Sequence, residues 1–273
     1  MLMTPFPAFV AGLAFILYLV LGWHIFLHWR ARAAAASRIA RFEQLGLALA
    51  LFLHVLTLRA PEAHWISLGL GQSVSLMMWL AALIYWIMRF FHRIEGLQPV
   101  LMSCTGLALL LGVMLPPSAV SYDLDNPALA LHIFTALFAY GLIALSAMMA
   151  LLMVLVETLL HRKQGLRLVQ TLPPLLTLER LLFMTLWSGF VLLTLTLSSG
   201  VVFSEQIFGR AFSLTHKNIL SLLAWVIFAA LLYGRVRHGW RGRLAARWTL
   251  GGTVALLLGY IGSKIVLEFI LNK

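Results

Sequence analysis

Histidine is the residue in this 273-residue chain best suited to chemistry, and the chain has nine of them. Their neighbours divide them into two groups. His28, His92, His161 and His238 sit beside arginines, with His24 about one turn further into an apolar run. That setting reads as interfacial side chains whose polar tips reach lipid headgroups while the rest covers apolar surface. His54, His64, His132 and His216 instead fall at the opposite ends of four separate apolar runs. Four imidazoles on one face of a helical bundle can supply axial ligands to a flat metallocofactor held between helices, and haem is the natural candidate. Each one taken alone also reads as a helix-end histidine hydrogen-bonded in place. No fixed C-x-x-C or H-E-x-x-H spacing accompanies them.

Other chemistries have less to work with. A zinc or divalent-cation site wants carboxylates or thiolates nearby, yet Glu62, Asp123, Asp125, Glu205 and Glu268 are scattered and the single cysteine, Cys104, lies inside an apolar run. One cysteine forms no intramolecular disulfide and no dithiol redox pair. An ion or solute pathway would place ionisable residues at mid-membrane depth, where these runs have almost none. No activated nucleophile, carboxylate pair or phosphate loop stands out, so the expectation is a protein that is not an enzyme.

The elements that must position the histidines are membrane helices. With 62% hydrophobic and 11% charged residues, the composition does not fit an ordinary soluble domain. Apolar runs at about 7-28, 42-58, 66-90, 98-115, 129-157, 182-203, 217-236 and 246-270 predict eight transmembrane helices. A helix needs roughly 20 residues to cross a hydrocarbon layer ~30 Å thick. A closed barrel would require short dyad alternation instead, which is absent. The fold class is therefore all-α, a polytopic membrane protein forming one integral membrane domain over 1-273.

Basic residues set its orientation. Arg30, Arg32, Arg38 and Arg41 follow the first run, Arg89 and Arg93 the third, Arg162, Lys163, Arg167 and Arg180 the fifth, and Arg235, Arg237, Arg241, Arg243 and Arg247 the seventh. The other side keeps only Arg59, Arg210, Lys217, Lys264 and Lys273. Positive residues concentrate in cytoplasmic loops, so both termini are expected outside, in the periplasm. The formal charge of +11 then follows from topogenic residues attracted to anionic inner-leaflet lipid, with no nucleic-acid partner implied. The start MLMTPFPAFV lacks a basic segment before its apolar run, so a retained first helix is expected rather than a cleaved signal peptide.

Small and hydroxyl residues mark expected helix contacts: Gly69, Gly71, Gln72, Ser73 and Ser75 in the third run, and Thr194, Thr196, Ser198, Ser199 and Gly200 in the sixth. Most tryptophans fall near the expected boundaries, but Trp79 and Trp86 lie deeper, seven residues apart on one helix face. They suit either a helix contact or an aromatic pocket.

Longer stretches carry a resemblance. LHIFTALFAYG at 131-141, LPPLLTLERLLF at 172-183, GFVLLTLTLSSGVVF at 189-203 and the block from THKNIL to GSKIV at 215-266, with its GWRG element, are joined by RAPEAHWISLGLGQSVSL at 59-76. In order and spacing these resemble the cytochrome c assembly transmembrane family, the CcsA/CcmC/HemX-like group, in its YpjD-like inner membrane branch, over a core of about 59-270. The resemblance implies a haem-handling protein of cytochrome c biogenesis in the bacterial inner membrane, with an outward histidine at the start of the LHI helix helping to hold haem. That position is His132 here. The chain departs from the pattern in lacking the tryptophan-rich WGxxWxWDxxE segment. It has SEQIFGRAFSLTHKN at 204-218 instead and no tryptophan between 188 and 224. The family's second outward histidine would fall near Leu271, and its membrane histidine before the WRGR loop is Tyr233.

The resulting expectation is a b-type, non-covalent haem held near the outer face, with His132 as principal ligand and His216, His54 or His64 opposite. Arg59 or Arg210 would pair with the propionates, since a planar guanidinium matches a carboxylate. The alternative is a membrane assembly or stabilising partner that has lost haem binding along with the tryptophan segment. It would work through contacts with other membrane proteins of cytochrome or haem assembly.

Overall fold

The computed structural model describes residues 5–28, 32–58, 65–92, 94–115, 121–123, 125–162, 172–202 and 215–266. Among them are eight long helices: α1 (Pro5–His28), α2 (Arg32–Thr57), α3 (Leu70–Met88), α4 (Gln98–Met114), α5 (Pro127–His161), α6 (Leu175–Val202), α7 (His216–His238) and α8 (Gly242–Ile265). Two three-residue strands, β1 (Trp65–Ser67) and β2 (Ser121–Asp123), pair antiparallel before α3 and α5. Among the described residues they depart from the expected all-α chain, and β1 takes in Ile66 and Ser67, which the third apolar run counted as helix.

Five helices, α3 and α5 to α8, are long and apolar enough to cross a membrane, and shorter apolar stretches cover Ala8–His24 and Gln98–Met114. Element boundaries shift from those expected. α2 begins at Arg32 rather than about 42, because the alanine-rich RAAAAS segment is an efficient helix former. α6 begins at Leu175 rather than 182, directly after Pro173-Pro174.

The helices form two groups of four. In the first, α1 packs on α2 and α4, and α3 packs on α2 and α4; in the second, α5 packs on α6 and α8, and α7 packs on α6 and α8. α5 also lies along α3 and so joins the groups. Close approach of α3 and α4 depends on missing side chains, because a Cβ on Gly71 would run into the Leu111 carbonyl and one on Gly112 would come within 2.7 Å of the Ser75 Cβ. At the end of α7, Gly239 takes the left-handed conformation (φ 67°) and its N–H caps the Gly234 carbonyl. That cap turns the chain sharply into α8.

The arginine-rich end is locked by Glu43, Glu157 and Glu179. Arg89 meets Glu43 at 3.0 Å, and both side chains are almost fully buried. Arg89 also donates to Gln98 at 2.7 Å, and Gln98 donates onward to the Leu21 carbonyl. Glu179 pairs with Arg235 at 2.8 Å and Arg241 at 3.4 Å, and Glu157 pairs with Arg243. These arginines therefore hold helices together as well as marking the charged face. His24 belongs to the same network, 3.2 Å from Glu43, which gives it a protein partner rather than a headgroup.

Candidate functional site

Opposite the arginine-rich end, α5 starts cleanly. Asn126 is its N-cap and accepts from the N–H groups of Ala128 and Leu129, with Pro127 at the first helical position. His132 follows on the next turn. It is half-buried, and its Nδ1 lies 2.9 Å from the Ser199 hydroxyl on α6. The Ser199 hydroxyl donates to the Thr196 carbonyl at 3.0 Å, so its oxygen is left to accept. A proton on Nδ1, donated to that oxygen, would leave the ring lone pair on Nε2. An imidazole oriented through one nitrogen and basic at the other is the arrangement metal-ligating histidines use.

Ser199 is one rung of a hydroxyl ladder between α5 and α6. Thr196 donates to Thr135 at 3.3 Å, and Ser146 and Thr185 lie 2.7 Å apart deeper in the interface. Gly200 lies beside the imidazole, where a Cβ would meet the His132 ring at 3.4 Å, an ordinary contact. The expectation that these small and hydroxyl residues serve helix contacts holds for Thr196, Ser199 and Gly200. On the other side of α6 an open cleft of about 390 Å³ separates α6 from α7, lined by Thr194, Leu197, Ser198, Val201, Val202, Leu222 and Trp225.

The other predicted ligands are dispersed. His54 is fully buried, with Nδ1 3.2 Å from the Tyr18 hydroxyl on α1 and Nε2 2.8 Å from the Ser75 hydroxyl on α3. Both of its nitrogens are committed within the first helix group, whereas His132 bonds within the second. His216 is exposed in the first turn of α7, just after the N-cap Thr215. His64, Arg59 and Arg210 lie outside the described residues. Tyr233 is 65% exposed beyond the bundle interior. Among the described residues no three His, Cys, Asp or Glu side chains come together. A haem, which needs one or two axial ligands, is not subject to that requirement.

Trp79 and Trp86 serve helix contacts: their indole N–H groups donate to the Leu51 and Gln44 carbonyls of α2 at 2.9 and 3.0 Å.

A second polar cluster joins α3, α5, α7 and α8, a meeting that sequence reasoning did not foresee. Tyr260 of α8 donates to Ser73 of α3 at 2.8 Å, and its ring packs on Tyr140 of α5 with centroids 5.3 Å apart. The Lys217 ammonium of α7 lies 5.5 Å from the Tyr260 ring centre, and Lys264 donates to the Leu68 carbonyl at 2.6 Å. These residues are spread over 73 to 264, and nothing in their local sequence marks them as neighbours.

Comparison with known proteins places these helices in context. The family model described as Cytochrome C assembly protein matches residues 43–271. The inner membrane protein YpjD of Escherichia coli (strain K12) is 32% identical over 203 residues, covering 74% of this chain and 75% of that protein. Protein HemX of Brevibacillus brevis is 26% identical over 196 residues, covering 71% and 72%. The cytochrome c biogenesis protein CcsA of Prochlorococcus marinus (strain MIT 9303) is 36% identical over 89 residues, covering 33% and 28%.

Proposed function

Because the chain belongs to the cytochrome c assembly protein family, we propose that it is a non-enzymatic haem-binding protein of the bacterial inner membrane. In this reading eight helices span the bilayer, both termini face the periplasm, and haem is held near the outer face. Bound haem would supply an iron centre open to axial ligation; the protein's own part is to bind and orient it. The observation that carries the reading is the His132–Ser199–Thr196 relay, which presents Nε2 as a basic ligand at the position the family resemblance singles out. The names of the relatives support the setting, since one is called an inner membrane protein and another a cytochrome c biogenesis protein. His216, exposed at the same end of the bundle, is the second ligand in this proposal. His54 is not, because coordination would break one of its two buried hydrogen bonds.

The test is an absorption spectrum of the purified, detergent-solubilised protein after haem loading. A Soret band that His132→Ala weakens is the expected result. A colourless preparation overturns the proposal. Orientation is tested in a Cys104→Ala background: a membrane-impermeant thiol reagent should label Asp125→Cys from the periplasm and spare Arg162→Cys.

A second reading, an assembly partner without haem, is favoured by one observation. The hydrogen bonds of His54 and His132 run to different helix groups, so those two do not form a bis-histidine pair. Replacement of His54, His64, His132 and His216 together without functional loss, with crosslinking that captures one stoichiometric membrane partner, would favour it.

A further inference from the structure

We infer that Lys217, set over Tyr260 and next to Lys264, is the residue that receives an anionic carboxylate of the ligand, a propionate of haem. This inference rests on the haem reading and extends it. Four observations converge here. First, the ion pairs among the described residues gather Glu43, Glu157 and Glu179 at the arginine-rich end, and none of them includes Lys217. Second, Lys217 lies within electrostatic reach of both Lys264 and His132. The Lys217 ammonium, held against an aromatic ring in a partly apolar site, gains from an anion placed beside it.

Third, the ring under Lys217 is held by contacts from several helices. Tyr260 is tied by its hydroxyl to Ser73 and by its ring to Tyr140, so helices α3, α5, α7 and α8 all contribute to one spot. Fourth, α8 leaves regular helical geometry at that spot. Residues Leu258–Gly262 form a π turn carrying Tyr260, and Lys264 follows one turn later. Wide turns of this kind inside α-helices recur at functional sites, where they re-aim a side chain that regular geometry would point elsewhere. The first turn of α7, which carries Lys217, adds the positive end of that helix's dipole. His132 and Lys217 thus offer two complementary handles, one for a metal and one for a carboxylate.

The experiment titrates the purified full chain in detergent with haem and, in parallel, with haem dimethyl ester, which keeps the iron but lacks ionised propionates. Lys217→Gln is expected to weaken haem binding by about tenfold, the loss of one charge-assisted hydrogen bond, and to leave binding of the ester unchanged. Lys217→Arg should restore most of the affinity for haem. Equal weakening of both ligands, or of neither, overturns the assignment while the haem reading stands. So does a variant that changes only the amount of anionic lipid co-purified. Failure of the unaltered chain to bind either ligand sinks the haem reading and this inference with it. Thermal unfolding of Lys217→Gln close to that of the parent excludes a folding defect.

Discussion

Arg89, which caps the end of α3, and Glu43 of α2 form an ion pair of 3.0 Å in which each side chain is only 3% exposed. Gln98 of α4 and His24 of α1 complete the network, so one buried cluster ties all four helices of the first group. A buried charge left without its partner is costly. Glu43→Ala is expected to destabilise the protein by about 3–5 kcal/mol, read as a large fall in unfolding temperature in detergent. A change below about 1 kcal/mol would mean that water or lipid headgroups solvate Arg89 after all.

His54 separates a structural histidine from a ligand. Its two nitrogens meet Tyr18 and Ser75 in a fully buried setting. His54→Phe should leave those hydroxyls unsatisfied and cost about 1–3 kcal/mol of stability, yet the Soret band after haem loading should remain. Disappearance of the band with stability intact would assign His54 to the iron instead.

Ser199 of α6 is the hydrogen-bond partner of His132 of α5. Ser199→Ala removes the acceptor that fixes the imidazole tautomer and is expected to weaken haem binding by about tenfold to a hundredfold, the usual effect of losing a group that orients a metal ligand. Ser199→Thr, which keeps the hydroxyl, should retain most of the affinity. Titration of all three proteins by absorbance decides this, and identical curves would count against the relay.

Gly71 controls the spacing of α3 and α4. A methyl group there would overlap the Leu111 carbonyl, and backbone cannot swing aside as a flexible side chain can. Gly71→Ala should therefore destabilise the protein by about 1–3 kcal/mol. Gly251, whose Cβ position is open, is the control, and Gly251→Ala should be neutral or slightly stabilising within a helix. Equal unfolding temperatures for the two variants would contradict the packing.

Much of the architecture was legible in the chain itself. Apolar runs of membrane length must become helices because lipid offers backbone groups no other hydrogen-bond partner, and the runs locate all eight helices to within a few residues at most ends. The late start assigned to α2 has a clear reason: hydropathy marks lipid-facing length, whereas the helix continues through RAAAAS on backbone propensity. His132 was legible too, because it lies in a stretch resembling a family pattern and at a helix start that Asn126 and Pro127 announce.

Tertiary structure alone decided which polar residues meet. His54, His132 and His216 look equivalent in sequence, each at the same end of a run, but helix rotation and packing send the first into a core between Tyr18 and Ser75, the second against Ser199, and the third to the surface. Glu43 with Arg89, Glu179 with Arg235, and Lys217 with Tyr260 are separated by 43 residues or more. A lone charge in one helix carries no mark of its partner in another. The run lengths follow from the free energy of burying a backbone in lipid, which is local and additive along the chain. The pairings depend on how the helices turn and approach one another, which only the assembled bundle determines.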